Sequence, residues 1–199
     1  MTILRDHILV VDVEATCWKK APPPGEKSEI VEIGAVLLDV EHLTPHSKRS
    51  ILIKPTRSKM SRFCTRLTTL TQTQLEKEGT TFSAGCAALE GQFKAPQRLW
   101  MSWGDFDRRI FHEQCADFDV PYPFSESYTN LKTHFAGMML NGKPVGMARA
   151  LKLMDIPLEG THHRGADDAW NIALLLGLMI RRQGRGWLEP LWEGQAIGP

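Results

Sequence analysis

No stretch of this chain is long and apolar enough to suggest a membrane span. The longest candidate, Ile172 to Ile180, is about half of the roughly 20 residues a spanning helix needs, so no contact with a membrane is expected. The N-terminus meets charge at Arg5 and Asp6 before any apolar run of signal-peptide type develops. Cysteine is sparse: Cys17, Cys64, Cys86 and Cys115 are widely scattered with no C-x-x-C pair. That spacing excludes a zinc knuckle and a small disulfide scaffold, and it predicts reduced thiols in a cytoplasmic protein. The net charge of +1 is too small to argue for or against a polyanionic partner, so the local distribution of charge carries that question. Internal repeats and low-complexity segments are absent too.

What is present is an ordinary globular composition. With 199 residues, 42% apolar and 24% charged, the chain predicts one domain over residues 1–199 with a substantial core. Its most informative stretch is His7 to Thr16, where an apolar run carries Asp12 and Glu14. Residues two apart on a strand share a face, so the two carboxylates would stand side by side while Val11 and Val13 fill the other face. Placed that way they repel each other unless a proton or a cation lies between them. An isolated D-x-E is common in strands, so the metal reading needs acidic partners further along.

Cys17 to Glu29, with three consecutive prolines and a glycine, predicts an exposed loop beside the acidic pair. Ile30 to Val40 reads as a second strand and Ile51 to Ile53 as a third, joined by short connections into an antiparallel meander. Lys54 to Arg66 holds five basic residues and no acidic one; a wet surface explains such a run, but the interleaved Phe63 suits phosphates with a stacked base. Thr71, with Gln74 three residues on, predicts a helix start, and Thr81 or Ser83 predicts another, running to about Lys94. Leu99 to Trp103 reads as a short strand, followed after Asp105, Phe106 and Asp107 by a helix over Arg108 to Cys115. Further helices are expected over Thr129 to Leu140, Val145 to Met154 and Arg164 to Arg182. Trp187, Leu191 and Trp192 in the tail either fold back on the domain or dock a protein partner.

Asp107 and Asp168 supply the missing acids. Both sit at helix starts, and open α/β sheets keep their chemistry at the strand ends facing such junctions. Four carboxylates gathered at one point demand neutralisation, and an all-oxygen set points to magnesium or manganese. Two such ions form the clamp used for phosphodiester hydrolysis. A histidine is the natural general base at neutral pH. His163 with Asp168 and His162 with Asp167 have the same spacing, so spacing alone leaves both pairs open.

The blocks VVDVEATCW, FCTRLTTLTQ, SWGDFD and HRGADDAWNIA, in this order, resemble the DEDDh superfamily of 3′–5′ exonucleases over residues 6 to 180. Within it they are similar to the exoribonuclease branch of the enhanced-RNAi nucleases and to the bacterial inhibitors of the sporulation kinase pathway. The resemblance implies an α/β RNase H-like fold: a five-stranded mixed sheet, a three-strand antiparallel meander plus parallel strands, with helices on both faces. It implies two Mg²⁺ or Mn²⁺ ions on Asp12, Glu14, Asp107 and Asp168, with His163 as base. It places the terminal nucleotide against Ala15, Thr16, Leu67 and Thr68, its base between Phe63 and Phe106. The implied substrates are single-stranded RNA 3′ ends or short oligoribonucleotides, and the product is a nucleoside 5′-monophosphate. The alternatives are a deoxyribonuclease of the same mechanism and a regulatory protein-binding role with little nuclease activity. No separate nucleic-acid-binding module is expected. One departure stands out: the family has glycine where this chain has Thr69, and a threonine resists positive φ.

Overall fold

The first strand, β1 (Leu4–Ala15), lies at the middle of the sheet, and Ile8 to Val11 are fully buried, as expected of a strand covered on both faces. The computed structural model describes residues 2–194. β2 (Ile30–Asp39) and β3 (Pro45–Leu52) continue from β1 as an antiparallel meander. Helices α1 (Arg62–Thr68), α2 (Gln72–Glu78) and α3 (Phe82–Phe93) lead to β4 (Arg98–Ser102), which runs parallel to β1. Then come α4 (Phe106–Phe118), β5 (Tyr128–Asn130), α5 (Leu131–Met139), α6 (Met147–Leu153), α7 (Gly165–Gln183) and α8 (Glu189–Trp192). The five strands lie in the order β3-β2-β1-β4-β5, with β5 parallel to β4. This is an RNase H-like mixed sheet with helices on both faces.

The alternation along β1 assigns the two layers. Ile8 and Val10 point to the face where α5, α6, α7 and α8 pack, together with Val36, Leu38, Leu99 and Met101. Leu9, Val11 and Val13 point to the opposite face, against Phe82 and Leu89 of α3 and Ile110 and Phe111 of α4. Asp12 and Glu14 continue the Ile8–Val10 side, so both face the layer that holds α7. No helix among the described residues is long and apolar enough to cross a membrane.

Several helix starts follow from local chemistry. Thr71 and Thr81 cap α2 and α3, their hydroxyls accepting the Gln74 and Ala84 N–H groups. The basic stretch becomes helical from Arg62, because Ser61 accepts the Cys64 N–H at 3.0 Å and starts α1. The segment from Thr129, expected to be helical, opens instead with β5, and the helix begins only at Leu131, where Asn130 caps it. β3 begins at Pro45, earlier than expected, as a polar edge strand with four consecutive exposed residues. The tail residues fold back: Leu191 and Trp192 are buried in the α7 layer and Trp187 packs half-buried against it. Tail residues 195–199 lie outside the described residues. The four cysteines are free thiols.

Candidate active site

Four elements, β1, α4, α6 and α7, converge on one groove of about 400 Å³. Its lining includes Asp12, Glu14, Phe106, Asp107, His162, His163 and Asp168. Carboxylate oxygens of Asp12, Glu14 and Asp168 lie within 4.8 Å of one another, and nitrogens of His162 and His163 lie within the same distance of Asp168.

Each side chain is held by a specific local device. β4 ends at Ser102, and Gly104 turns the chain at φ 120°, its carbonyl accepting both the Ser102 and Tyr128 hydroxyls at 2.7 Å. Asn130 Nδ2 holds the Asp105 carboxylate at 2.7 Å, so the turn delivers Asp107 into the first turn of α4. Asp107 Oδ1 then accepts the Val13 N–H at 2.9 Å, a strand donor beyond the last β1–β4 register pair, Val10 with Met101. Asp107 therefore lies close enough to Asp12 and Glu14 to act on them electrostatically, outside the set of oxygens within 4.8 Å of one another, with one oxygen committed to the backbone of β1.

Asp168 comes from the first turn of α7, whose start is fixed by Glu32 on β2. The Glu32 carboxylate is fully buried and accepts Arg164 Nε at 3.0 Å, the Gly165 N–H at 3.1 Å and the Ser50 hydroxyl at 2.5 Å. Glu32 is the register partner of Glu14, so the same strand pair that carries the acidic face also anchors the helix. Sequence reasoning passed over Glu32 and Arg164. The signal was there: a carboxylate in the apolar run Ile30 to Val40 is as costly as those of β1 and needs its own compensation.

The electrostatics mark this as a site built around missing positive charge. Burial, then repulsion from Asp168, Glu32 and Asp107, pushes the Glu14 carboxyl up to about 9. Asp12 is raised well above the ordinary carboxylate range by burial and by Asp107, Asp168 and Glu14. Burial lifts Asp107 to about 6 against the pull of the Val13 N–H. Asp168 is raised by burial while its contact with His162 works the other way. Groups so displaced toward the neutral form fit a divalent cation, because a bound metal supplies the charge the cluster lacks. The donors of the Asp12, Glu14 and Asp168 cluster are all oxygen, which suits a hard ion.

The histidines divide their roles unexpectedly. His162 Nδ1 lies 3.0 Å from Asp168 Oδ2, and the same oxygen accepts the His163 backbone N–H at 3.0 Å. The two rings stack with centroids 4.0 Å apart. Asp167, the other half of the His162 pairing left open by spacing, turns away to Lys48 at 2.5 Å and the Thr161 N–H at 2.7 Å.

The nucleotide-contact residues expected from the resemblance separate into two groups. Phe106 lines the groove and is 45% exposed, with the Arg109 guanidinium 5.5 Å from its ring centroid. Phe63, Leu67 and Thr68 lie on α1, outside the groove lining, and α1 is tied to the end of β1 by Cys64 Sγ to the Ala15 carbonyl and Ser61 Oγ to the Cys17 carbonyl. Phe63 and Leu67 are half-buried, whereas Thr68 is buried, its hydroxyl donating to the Cys64 carbonyl. Thr16 is fully buried; its hydroxyl accepts the Glu29 N–H and bonds Ser58, its own N–H donates to the Glu29 carbonyl and its carbonyl accepts the Ser28 hydroxyl, so the residue ties together the loops after β1 and β3 and its polar groups are engaged within the protein. Ala15 is buried beside it. Thr69 adopts the positive φ of 64° that its side chain resists, closing α1 with its N–H on the Thr65 carbonyl.

Fold and site together define a nuclease class in which clustered carboxylates on an RNase H-like sheet carry the chemistry. The chain belongs to the exonuclease family RNase_T, whose model matches residues 9–176. It is 27% identical over 202 residues to ERI1 exoribonuclease 2 of Mus musculus, an alignment covering 89% of this chain and 29% of that protein. It is 25% identical over 187 residues to the probable 3′-5′ exonuclease KapD of Bacillus subtilis (strain 168), covering 92% and 88% of the two chains. The nuclease domain of 3′hExo, a DEDDh family member bound to rAMP, shares the fold with a TM-score of 0.77 at 23% identity, covering 92% of this chain and 96% of that one. This chain spans 29% of the length of the mouse and human ERI1 exoribonuclease 2 proteins.

Proposed function

We propose that this chain is a metal-dependent 3′–5′ exoribonuclease acting on single-stranded RNA ends or short oligoribonucleotides and releasing nucleoside 5′-monophosphates. The observation that carries the reading is the meeting of Asp12, Glu14 and Asp168 oxygens within 4.8 Å, in a groove that also holds Asp107 and two histidines. Relatives described as exoribonucleases, and the rAMP bound to a protein of the same fold, support RNA as the substrate class.

Asp12, Glu14, Asp107 and Asp168 would hold two Mg²⁺ or Mn²⁺ ions. When bound there, such ions supply an activated water and charge stabilisation for the leaving 3′ oxygen. The remaining work falls to the protein. Phe106 stacks on the terminal base, and Phe63 on α1 closes over its other face. Ala15 and Thr16, at the end of β1, form the wall against which the terminal ribose packs, with Leu67 and Thr68 behind it. His163 accepts the proton of the attacking water: its ring has no hydrogen-bonded carboxylate among the described residues, and burial beside His162 lowers its pKa, which keeps it neutral and able to accept. Water oxygen bonds to phosphorus, the bond to the upstream 3′ oxygen breaks, and that oxygen takes a proton from solvent and leaves as a 3′-hydroxyl.

The test is digestion of matched 5′-labelled RNA and DNA oligomers by the purified protein in EDTA, then with Mg²⁺ or Mn²⁺. Stepwise shortening from the RNA 3′ end with 5′-monophosphate products is expected. Equal or faster DNA hydrolysis overturns the RNA assignment, and folded protein that hydrolyses neither polymer favours a binding role. The p-nitrophenyl ester of a nucleoside 5′-monophosphate reports the bond-breaking chemistry without a polymer.

A further inference from the structure

Besides its acids and histidines, the groove has a single charged lining residue, Arg149, and the nuclease reading gives it no task. Arg149 sits in the first turn of α6 and is exposed. Nearby basic side chains are already spent: Arg164 on the buried Glu32, Lys48 on Asp167, Arg109 on Glu113. Arg149 makes no ion pair with any described residue, although carboxylates line the same groove.

Its position is fixed. Met147, Ala150 and Leu151 bury the inner face of α6 in the α7 layer. Just before the helix, the Val145 carbonyl accepts Trp103 Nε1 at 3.0 Å, which ties this wall to the strand end that leads to Asp107. Trp103 in turn packs on Phe135 with ring centroids 5.4 Å apart. A long cationic side chain is thus mounted on a rigid wall and left free at its tip.

The substrate's own charge says what the tip is for. With the terminal nucleoside held at the end of β1 and by α1, the scissile phosphate lies over the acidic cluster. A strand leaving along the remaining wall of the groove would pass the first turn of α6. The next phosphate upstream carries a full negative charge past a carboxylate-lined groove and needs a cation of its own. An arginine suits it, because its planar fork donates to two phosphate oxygens at once.

We propose that Arg149 binds the second phosphodiester from the 3′ end, making the site selective for oligomers over single nucleotide esters; this rests on the nuclease reading above. It is a positioning residue, acting on a phosphate that does not react.

The test uses binding, so it does not depend on turnover. Two labelled single-stranded oligomers differ only at the second linkage from the 3′ end, a normal phosphodiester in one and a neutral methylphosphonate in the other, each flanked there by the same 2′-deoxy residue. Their Kd values are measured with Ca²⁺ for the unaltered protein, Arg149→Gln and Arg149→Lys. The unaltered protein should bind the neutral oligomer about ten- to a hundredfold more weakly, the range of a charged hydrogen bond. Arg149→Gln should lose a comparable factor on the normal oligomer and discriminate little between the two, while Arg149→Lys keeps part of the preference. If Arg149→Gln still discriminates as the unaltered protein does, or binds the normal oligomer equally well, the assignment is overturned. A protein that shows this pattern yet cuts neither RNA nor the p-nitrophenyl ester would keep the Arg149 contact and lose the nuclease reading.

Discussion

Gly34 on β2 and Gly165 at the head of α7 meet backbone to backbone: a Cβ on Gly34 would fall 1.9 Å from the Gly165 carbonyl carbon. Gly34 is the register partner of Asp12, and Gly165 lies one helical turn before Asp168. The contact therefore sets how deeply α7 presses its carboxylate toward β1. Gly34→Ala is expected to lift the helix, destabilise the fold by about 3 kcal/mol and weaken the rise in Tm caused by Mn²⁺. Thermal melts with and without the ion measure both effects, and an unchanged Tm would show that the two elements can part freely.

Thr69 tests a smaller strain. Its φ of 64° lies in the left-handed region, at the C-terminus of the helix that carries Phe63 and Leu67. A β-branched residue there loses roughly 1 kcal/mol relative to one without a Cβ. Thr69→Gly should raise stability by up to about 1 kcal/mol, seen as a higher urea midpoint at unchanged slope. A lower midpoint would mean that the extra freedom of glycine in the unfolded chain outweighs the relief.

The contrast between β1 and β5 shows what the residues could reveal unaided. β1, β2 and α7 were legible because each buries a long apolar pattern, and the acidic interruptions at Asp12 and Glu14 stand out against it. β5 is three residues long, Tyr128 to Asn130, and exists because β4 offers it an edge; nothing in its own composition distinguishes it from a helix start. The polar half of β3 hides for a related reason, since an edge strand facing water needs no apolar residues. At the site, charge cost pointed to the acids, but the partner of each histidine depends on the path of the loop before α7. That path is set by Glu32 from another strand and could not be read from spacing.

The acidic cluster predicts an inverted pH profile for the metal-free protein. A carboxyl whose folded pKa is raised above its ordinary value near 4 stabilises the fold fully below that value and loses the contribution as pH rises through the folded pKa. Glu14 at about 9 and Asp107 at about 6 therefore predict stability that falls between about pH 5 and pH 9 in EDTA. Below that window the trend turns over, because ion-paired acids such as Asp6 and Asp117 are held below the ordinary range and lose their partners on protonation. Mn²⁺ or Mg²⁺ should flatten the alkaline decline. Asp12→Asn removes one repelling charge, so it should raise metal-free stability at pH 8 while largely abolishing cation-induced stabilisation and turnover. Denaturant titrations across pH, with and without the ion, decide; a flat profile in EDTA would mean the carboxylates are relieved in some other way.

The histidine pair gives the sharpest test of the proposed mechanism. Asp168 Oδ2 is shared between His162 Nδ1 and the His163 backbone N–H, each at 3.0 Å. A cation on Asp168 competes with the first contact and leaves the second intact, since a backbone donor and a metal can occupy different lone pairs of one carboxylate. His162 is therefore the residue displaced on metal binding, while the backbone of His163 stays docked and its ring remains poised over the groove. His163→Ala should lower kcat by about 10²–10⁴-fold with little change in metal affinity, the range for loss of a general base. His162→Ala should cost far less turnover and tighten metal binding slightly, because it removes a competitor for Asp168. Single-turnover rates and metal titrations of the two variants separate these outcomes. If His162→Ala proves the more damaging to kcat, the base is His162, and the ring stacked on it at 4.0 Å is there to position it.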